Sequence, residues 1–367
     1  MLEKLRSWIN GKNKQQAVLI LRTVLLFVKE RKIPFLWYSR TFNRFKELFL
    51  PFIEAPYCVI SSKPIIVITI WDFWNYFRLF SKIPKRGNVY FIFLCWSLME
   101  SDGIVEQIKN EYNKHSKKYP KHKLIYLCNS LKQFKIFGKF DLPRIFCNQN
   151  AFLDKRMYKI IPNVGKKYDG IYNARIVTFK RHFLASKVKN LALIAFTGGS
   201  TQTDIDSIKK ALPEATWINK ATIRSDEIPE EEICKYLNQA KVGLCLSARE
   251  GAMYASAEYL LCGLPVVSTR SNGGRDVFFD KEYVKIVDDL PEAVSEGVEE
   301  MVKRDISPYY IREKTLEKMK AHRERFISLV QSIYNNEGVY RDFRGEWDKV
   351  FINKMLCWKP IRFLKKI

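Results

Sequence analysis

From Tyr168 to Val287 the chain alternates short apolar runs with segments of helical period, and that alternation leaves few folds open besides a doubly wound α/β domain. Tyr168 to Arg175, Leu191 to Phe196, Thr216 to Ile218, Val242 to Leu246, a run ending near Thr269, and Tyr283 to Val287 read as strands. Asp206 to Leu212, stopped by Pro213, and Pro229 to Ala240 read as helices between them. The second opens on Glu230, Glu231 and Glu232, which suit the positive end of its macrodipole. In such sheets ligands sit beyond the carboxyl ends of the strands, where helix N-termini offer unpaired N–H groups to anions.

One of these edges carries the chemistry. Val242 to Leu246 leads into Ser247, Ala248, Arg249, Glu250, Gly251, Ala252 and Met253, and a helix then passes Glu258 and ends at the glycine cap Gly263. Two carboxylates beside an anion-binding helix start repel a bare phosphate, yet they can accept hydroxyl groups flanking one. A nucleotide sugar has that layout, with hydroxyls at both ends and a diphosphate between.

The stretch from Glu250 to Thr269 resembles the glutamate-pair motif of retaining group 1 glycosyltransferases with the GT-B fold, which use nucleotide-diphosphate sugars. Arg175 and Lys180, about 70 residues upstream with strands between, match the arginine and lysine by which that family holds the donor diphosphate. A fork-shaped guanidinium and a point-charge ammonium on one loop would neutralise the pyrophosphate as it leaves. The resemblance covers about residues 160 to 300. It implies an α/β, GT-B architecture: two Rossmann-like domains facing a central cleft, with C-terminal helices returning to the N-domain.

By the same resemblance Glu258 would bind the ribose hydroxyls and Glu250 the sugar hydroxyls. Gly251, Ala252 and Met253 would present backbone N–H groups, and Arg175 and Lys180 would hold the diphosphate. Retention of anomeric configuration is expected, with no cofactor and no metal. Asp204 and Asp206 match a D-x-D metal pattern, but with Thr203 they stand at a helix start and read as N-cap residues. Trp71 and Asp72, at the end of an apolar run, are candidates for the acceptor cleft, although Asp72 equally suits a helix cap. His115 and His122 lie in a Lys-rich stretch that reads as a solvated surface loop.

Residues 1–162 form the expected acceptor domain, 163–310 the donor domain, and 311–367 the C-terminal helices and tail. A hinge is expected at Ile161 to Gly165. In the first part, strands read at Pro64 to Ile70, Asn88 to Cys95, Lys123 to Cys128 and Arg144 to Cys147. Tyr310 to Tyr334 reads as one long helix. Gln15 to Lys32 is apolar around most of its circumference, which suits a buried helix or one lying on a membrane.

The formal charge of +24 is uneven. Residues 1–150 carry about 26 basic and 10 acidic side chains, whereas residues 171–300 carry about 16 and 19. The tail from Phe351 adds about five basic groups among Met355, Leu356, Trp358, Ile361, Phe363 and Leu364. This asymmetry suits an enzyme working on an anionic, lipid-linked saccharide acceptor at an anionic membrane surface. Basic and aromatic residues interleave at Phe42 to Phe52 and Lys132 to Phe140, but no zinc-finger, helix-turn-helix or RNA-binding signature accompanies them, so nucleic acid is not an expected partner.

The eight cysteines include no C-x-x-C pair and fall largely within apolar runs, the pattern of a reduced interior. Ala17 to Val28 and Pro64 to Trp71 are shorter than the roughly 18 to 20 residues a bilayer span needs. The expected location is the cytoplasm, peripheral to the inner face of the membrane. The expected activity is a glycosyltransferase of bacterial surface-polysaccharide or lipopolysaccharide assembly. A GT-B phosphorylase or epimerase and a non-catalytic or nucleic-acid-binding scaffold are the alternatives.

Overall fold

The computed structural model describes residues 54–70, 87–198, 200–221 and 228–360. The readings for Gln15 to Lys32, Phe42 to Phe52, Trp71, Asp72 and the tail beyond Pro360 lie outside the described residues. The chain divides into two compact units. The smaller comprises Met1–Tyr57, Phe73–Gly87 and Cys357–Ile367. Within it Glu54 to Tyr57 run antiparallel to Cys357 to Pro360, and the Cys357 thiol donates to the Tyr57 carbonyl at 3.3 Å.

The larger unit, Cys58–Asp72 and Asn88–Leu356, is mixed α/β and is built on parallel sheets. Its first sheet has the order β1 (Glu54–Ser62, within this unit from Cys58), β2 (Ile65–Ile70), β3 (Val89–Leu94), β4 (His122–Cys128), β5 (Arg144–Phe146), and β2 to β5 are parallel. β2 is a run of Ile, Val and Thr buried at every position, as β-branched side chains at the centre of a parallel sheet should be. Helices α1 (Asp102–Lys118) and α2 (Leu131–Lys139) connect the later strands.

The expectation of a solvated loop around His115 and His122 is corrected here. His115 lies in the last turn of α1 and His122 opens β4, their ring nitrogens 3.0 Å apart. Burial lowers both imidazoles to about 4, so the pair is neutral and structural. The lysines of the stretch project from the outer face of α1, which hides the helical period of Val105 and Ile108 beneath.

The second sheet comprises β6 (Tyr168–Arg175), β7 (Leu191–Phe196), β8 (Thr216–Trp217), β9 (Ala240–Cys245), β11 (Val266–Thr269) and β13 (Val284–Val287). It is parallel throughout, in the order β13-β11-β9-β6-β7-β8. From β6 the chain builds outward to β7 and β8, then crosses back to place β9 on the other side of β6. The carboxyl ends of β6 and β9 therefore flank a topological switch point, where open α/β sheets form their binding crevice. Helices α3 (Gln202–Ala211), α4 (Glu230–Asn238), α5 (Tyr254–Leu261) and α6 (Pro291–Lys303) cover the sheet. Two short strands, β10 (Arg249–Glu250) and β12 (Asn272–Gly273), pair beside it.

Helix α3 starts earlier than the sequence suggested. Thr201 is its N-cap, and Asp204 closes a capping box with Thr201, its carboxylate accepting from the Thr201 N–H at 2.9 Å. Asp206 accepts from Gln202 on the same helix at 2.7 Å.

The C-terminal return is carried by α7 (Pro308–Asn336). Ile311 and Met319 pack in the core of the second sheet, while Phe326, Ile327, Val330, Ile333 and Tyr334 pack in the core of the first, together with Phe343 of α8 (Phe343–Val350). Arg312 and Arg323 fasten the helix by donating to the carbonyls of Lys155 and Tyr158 and of Ala151 and Leu153. Among the described residues no helix is long and apolar enough to cross a membrane.

Candidate functional site

At the carboxyl end of β6 the chain passes Arg175, makes a 3-10 turn over Thr178–Lys180, and reaches Arg181 in the left-handed region at φ 51°. Arg181 fixes this loop to three places. It donates to the Leu246 carbonyl and the Thr269 hydroxyl, each at 2.7 Å, and pairs with Asp289 at 2.6 Å. The Tyr172 hydroxyl donates to the Lys180 carbonyl at 2.5 Å. Lys180 is thus held from both sides, and its ammonium pairs with Glu250 across the switch point. Both side chains are largely buried, at 11% and 10% exposure, so each charge depends on the other for compensation.

The glutamate loop is equally fixed. Arg275 is fully buried and donates to the carbonyls of Ser247 at 2.8 Å, Cys245 at 3.1 Å and Thr269, tying the ends of β9 and β11 together under the loop. Gly273, at φ 108°, lies so close to the Glu250 carbonyl that a side chain there would collide with it. Gly251 meets the Trp96 carbonyl in the same way, so no larger residue fits at this position.

Met253 has no such freedom, yet it adopts φ 56° immediately before α5. Its conformation is held by Asn150, whose amide donates to the carbonyls of Ala252 at 2.8 Å and Met253 at 3.0 Å, and by the Ser256 hydroxyl at 2.9 Å. Asn148 donates to the Gly274 carbonyl at 2.7 Å, and Asn129 to that of Cys95 at 2.6 Å. Loops from the carboxyl ends of both sheets therefore meet here.

Glu258 lies on α5 apart from the Lys180–Glu250 pair. It is 4% exposed and accepts from the Asn173 amide of β6 at 3.0 Å, with the Lys354 ammonium 4.0 Å from its other oxygen. Burial raises its carboxyl above the ordinary range, Lys354 opposes that rise and Glu230 adds to it. Arg175 stands exposed at the end of β6 with its guanidinium 5.3 Å from the centre of the Phe196 ring. His182, next to this loop, is buried and lowered to about 3, so it stays neutral.

Of the residues singled out from sequence, the fold brings Lys180 and Glu250 into contact and places Gly251, Ala252 and Met253 between Glu250 and α5. Arg175 and Glu258 lie on the neighbouring strand end and helix. Sequence reasoning missed Asn148, Asn150, Arg275 and Lys354. The first two follow an apolar run within Asn148, Gln149, Asn150, a polar cluster buried in its entirety; that adjacency was the available signal.

Residues 183–320, under half of the chain, match the family described as glycosyl transferases group 1. The matched stretch contains both glutamates; Arg175 and Lys180 precede it. A search of curated proteins gives no match. Among solved structures, sucrose-phosphate synthase from Thermosynechococcus elongatus aligns at 14% identity and TM-score 0.49, covering 72% of this chain and 71% of its own. Anabaena HepE, solved in complex with UDP, aligns at 12% and 0.49, covering 67% and 72%. TarM aligns at 15% and 0.47 over 66% of this chain, which spans half of that protein's length.

Proposed function

We propose that the protein is a retaining glycosyltransferase that moves a sugar from a nucleotide-diphosphate donor to a saccharide acceptor. The observation that carries this reading is the Lys180–Glu250 ion pair at the switch point of a parallel sheet, with the glutamate loop inside the matched family segment. In the reaction the acceptor hydroxyl bonds to the anomeric carbon as the bond from that carbon to the phosphate oxygen breaks, and the departing diphosphate takes the hydroxyl proton. Lys180 and Arg175 neutralise the charge that develops on the diphosphate, while Glu250 accepts sugar hydroxyls. Glu258 accepts the ribose hydroxyls. No metal is required in this scheme because the two cations supply the phosphate charge.

The acceptor is lipid-linked and reached at an anionic inner-membrane surface in surface-polysaccharide assembly. This part of the reading rests on the net charge of +24 and its concentration in the N-terminal part of the chain. The test is a screen of nucleotide sugars with lipid-linked acceptors in excess chelator, following nucleotide release and the anomeric configuration of the product by NMR. Transfer with retention supports the reading. Inversion, or activity that vanishes with chelator and returns with manganese, contradicts it.

A further inference from the structure

The C-terminal segment reaches the donor side of the molecule by an unusual route. Lys354 and Met355 adopt left-handed backbone conformations, φ 63° and 51°, that non-glycine residues adopt only when their surroundings impose them. Those surroundings are identifiable. Met355 is fully buried in the core of the first sheet. The Asn353 side-chain oxygen accepts from the Asp154 N–H at 2.8 Å, while its amide donates to Glu230. Between these anchors the Lys354 ammonium lies 5.0 Å from the centre of the Tyr254 ring, pairs with Glu230 and stands 4.0 Å from Glu258 Oε1.

The two oxygens of Glu258 are thereby distinguished. Oε2 is engaged by Asn173. Oε1 faces the ammonium at a separation too long for a hydrogen bond, yet short enough for strong attraction in a buried setting. We propose that Lys354 is a positioning residue for the nucleoside end of the donor: its ammonium, held 4.0 Å from Oε1, keeps Glu258 ionised so that the carboxylate can accept from a ribose diol. This inference rests on the donor-site reading above and extends it to the C-terminal segment.

A carboxylate can accept from both hydroxyls of a diol only when it is deprotonated. The groups facing Glu258 decide whether it is. Burial disfavours the charge, as does Glu230 of α4; Lys354 favours it, and so do the Tyr158 hydroxyl and the Asn173 amide of β6. Tyr158, before β6, Tyr254 and Tyr259 on Glu258's own helix, and Cys262 at its C-cap are held protonated by burial, and the Glu230 charge reinforces this at Tyr158 and Tyr254. Removing Lys354 leaves two acidic groups side by side, so Glu258 must ionise at higher pH. Removing the Glu230 charge does the reverse.

The experiment is calorimetric titration of the full chain with UDP, GDP, ADP and CMP, and with the 2′,3′-dideoxy form of whichever binds, across a pH series. For Lys354→Met the preference for the ribo- over the dideoxy-nucleotide should fall several-fold at the acid end of the series and recover as the pH rises, because Glu258 then ionises at higher pH than in the wild type. Lys354→Arg should restore it, and Glu230→Gln should extend the preference to lower pH. A Lys354→Met profile that overlays the wild type, or that loses both nucleotide forms equally at every pH, overturns the role of Lys354. An unshifted Glu230→Gln profile does so as well, even if the Lys354 variant fails to fold. A wild-type chain that binds none of the four nucleotides would instead overturn the donor-site reading itself.

Discussion

The two sets of loops that meet at the candidate site are built from opposite materials. From the second sheet come charges: Lys180 and Glu250 paired, Arg181 bound to Asp289, and Arg275 fully buried on carbonyls. From the first sheet come neutral amides: Asn129, Asn148 and Asn150, all buried and all donating to backbone carbonyls. In the proposed reaction the charged side is the one that acts on the leaving diphosphate. The amide side has contacts that fix the shape of the glutamate loop without altering its electrostatics.

That division predicts unequal consequences when either side is disturbed. The largest belongs to the buried ion pair. Lys180→Ala leaves Glu250 as an unpaired buried carboxylate, and Glu250→Ala does the converse, so each should lower stability by about 3 to 5 kcal/mol in denaturant unfolding. Turnover should fall by orders of magnitude in each variant that stays folded. Near-normal rates in either would remove that residue from the mechanism.

On the amide side, Asn150→Ala strands the carbonyls of Ala252 and Met253, and about 1 to 3 kcal/mol should be lost. The loss should appear as a lowered melting temperature, with nucleotide affinity reduced far less than by any change at Glu258. An Asn150 variant of unchanged stability but abolished binding would break the comparison. A smaller effect lies away from both sides, at the exposed cap of α3: Thr201→Ala should cost about 1 kcal/mol in thermal unfolding and leave nucleotide binding unchanged. A measurable loss of binding there would revive a ligand role for the Asp204 and Asp206 segment.

The charged side was far more legible in the sequence than the amide side. β7 spans the same residues in sequence and structure, and β6 ends at Arg175 as read, because in a buried parallel strand the apolar run is itself the element. Lys180, Glu250 and Glu258 are named through the resemblance to the family's motifs, which follow such strands. Asn150 and Lys354 have no local offset to reveal them. Asn150 acts on carbonyls more than a hundred residues away in the chain, and Lys354 reaches Glu230 and Glu258 through a left-handed turn that no local preference encodes. In α1 the failure was of another kind, since lysines on its outer face mask a period that only burial of Val105 and Ile108 exposes.

The central claim is that the loop from Glu250 to Glu258 and the turn at Lys180 together form a nucleotide-sugar donor site. Its most direct test is calorimetric titration of UDP, GDP, ADP and CMP into the wild-type chain and into Glu258→Ala. The account predicts that one of the four binds well and that the substitution weakens it by about tenfold or more, as expected when a carboxylate that accepts hydroxyl groups is lost. Binding of none, or of one with equal affinity for both proteins, would contradict it.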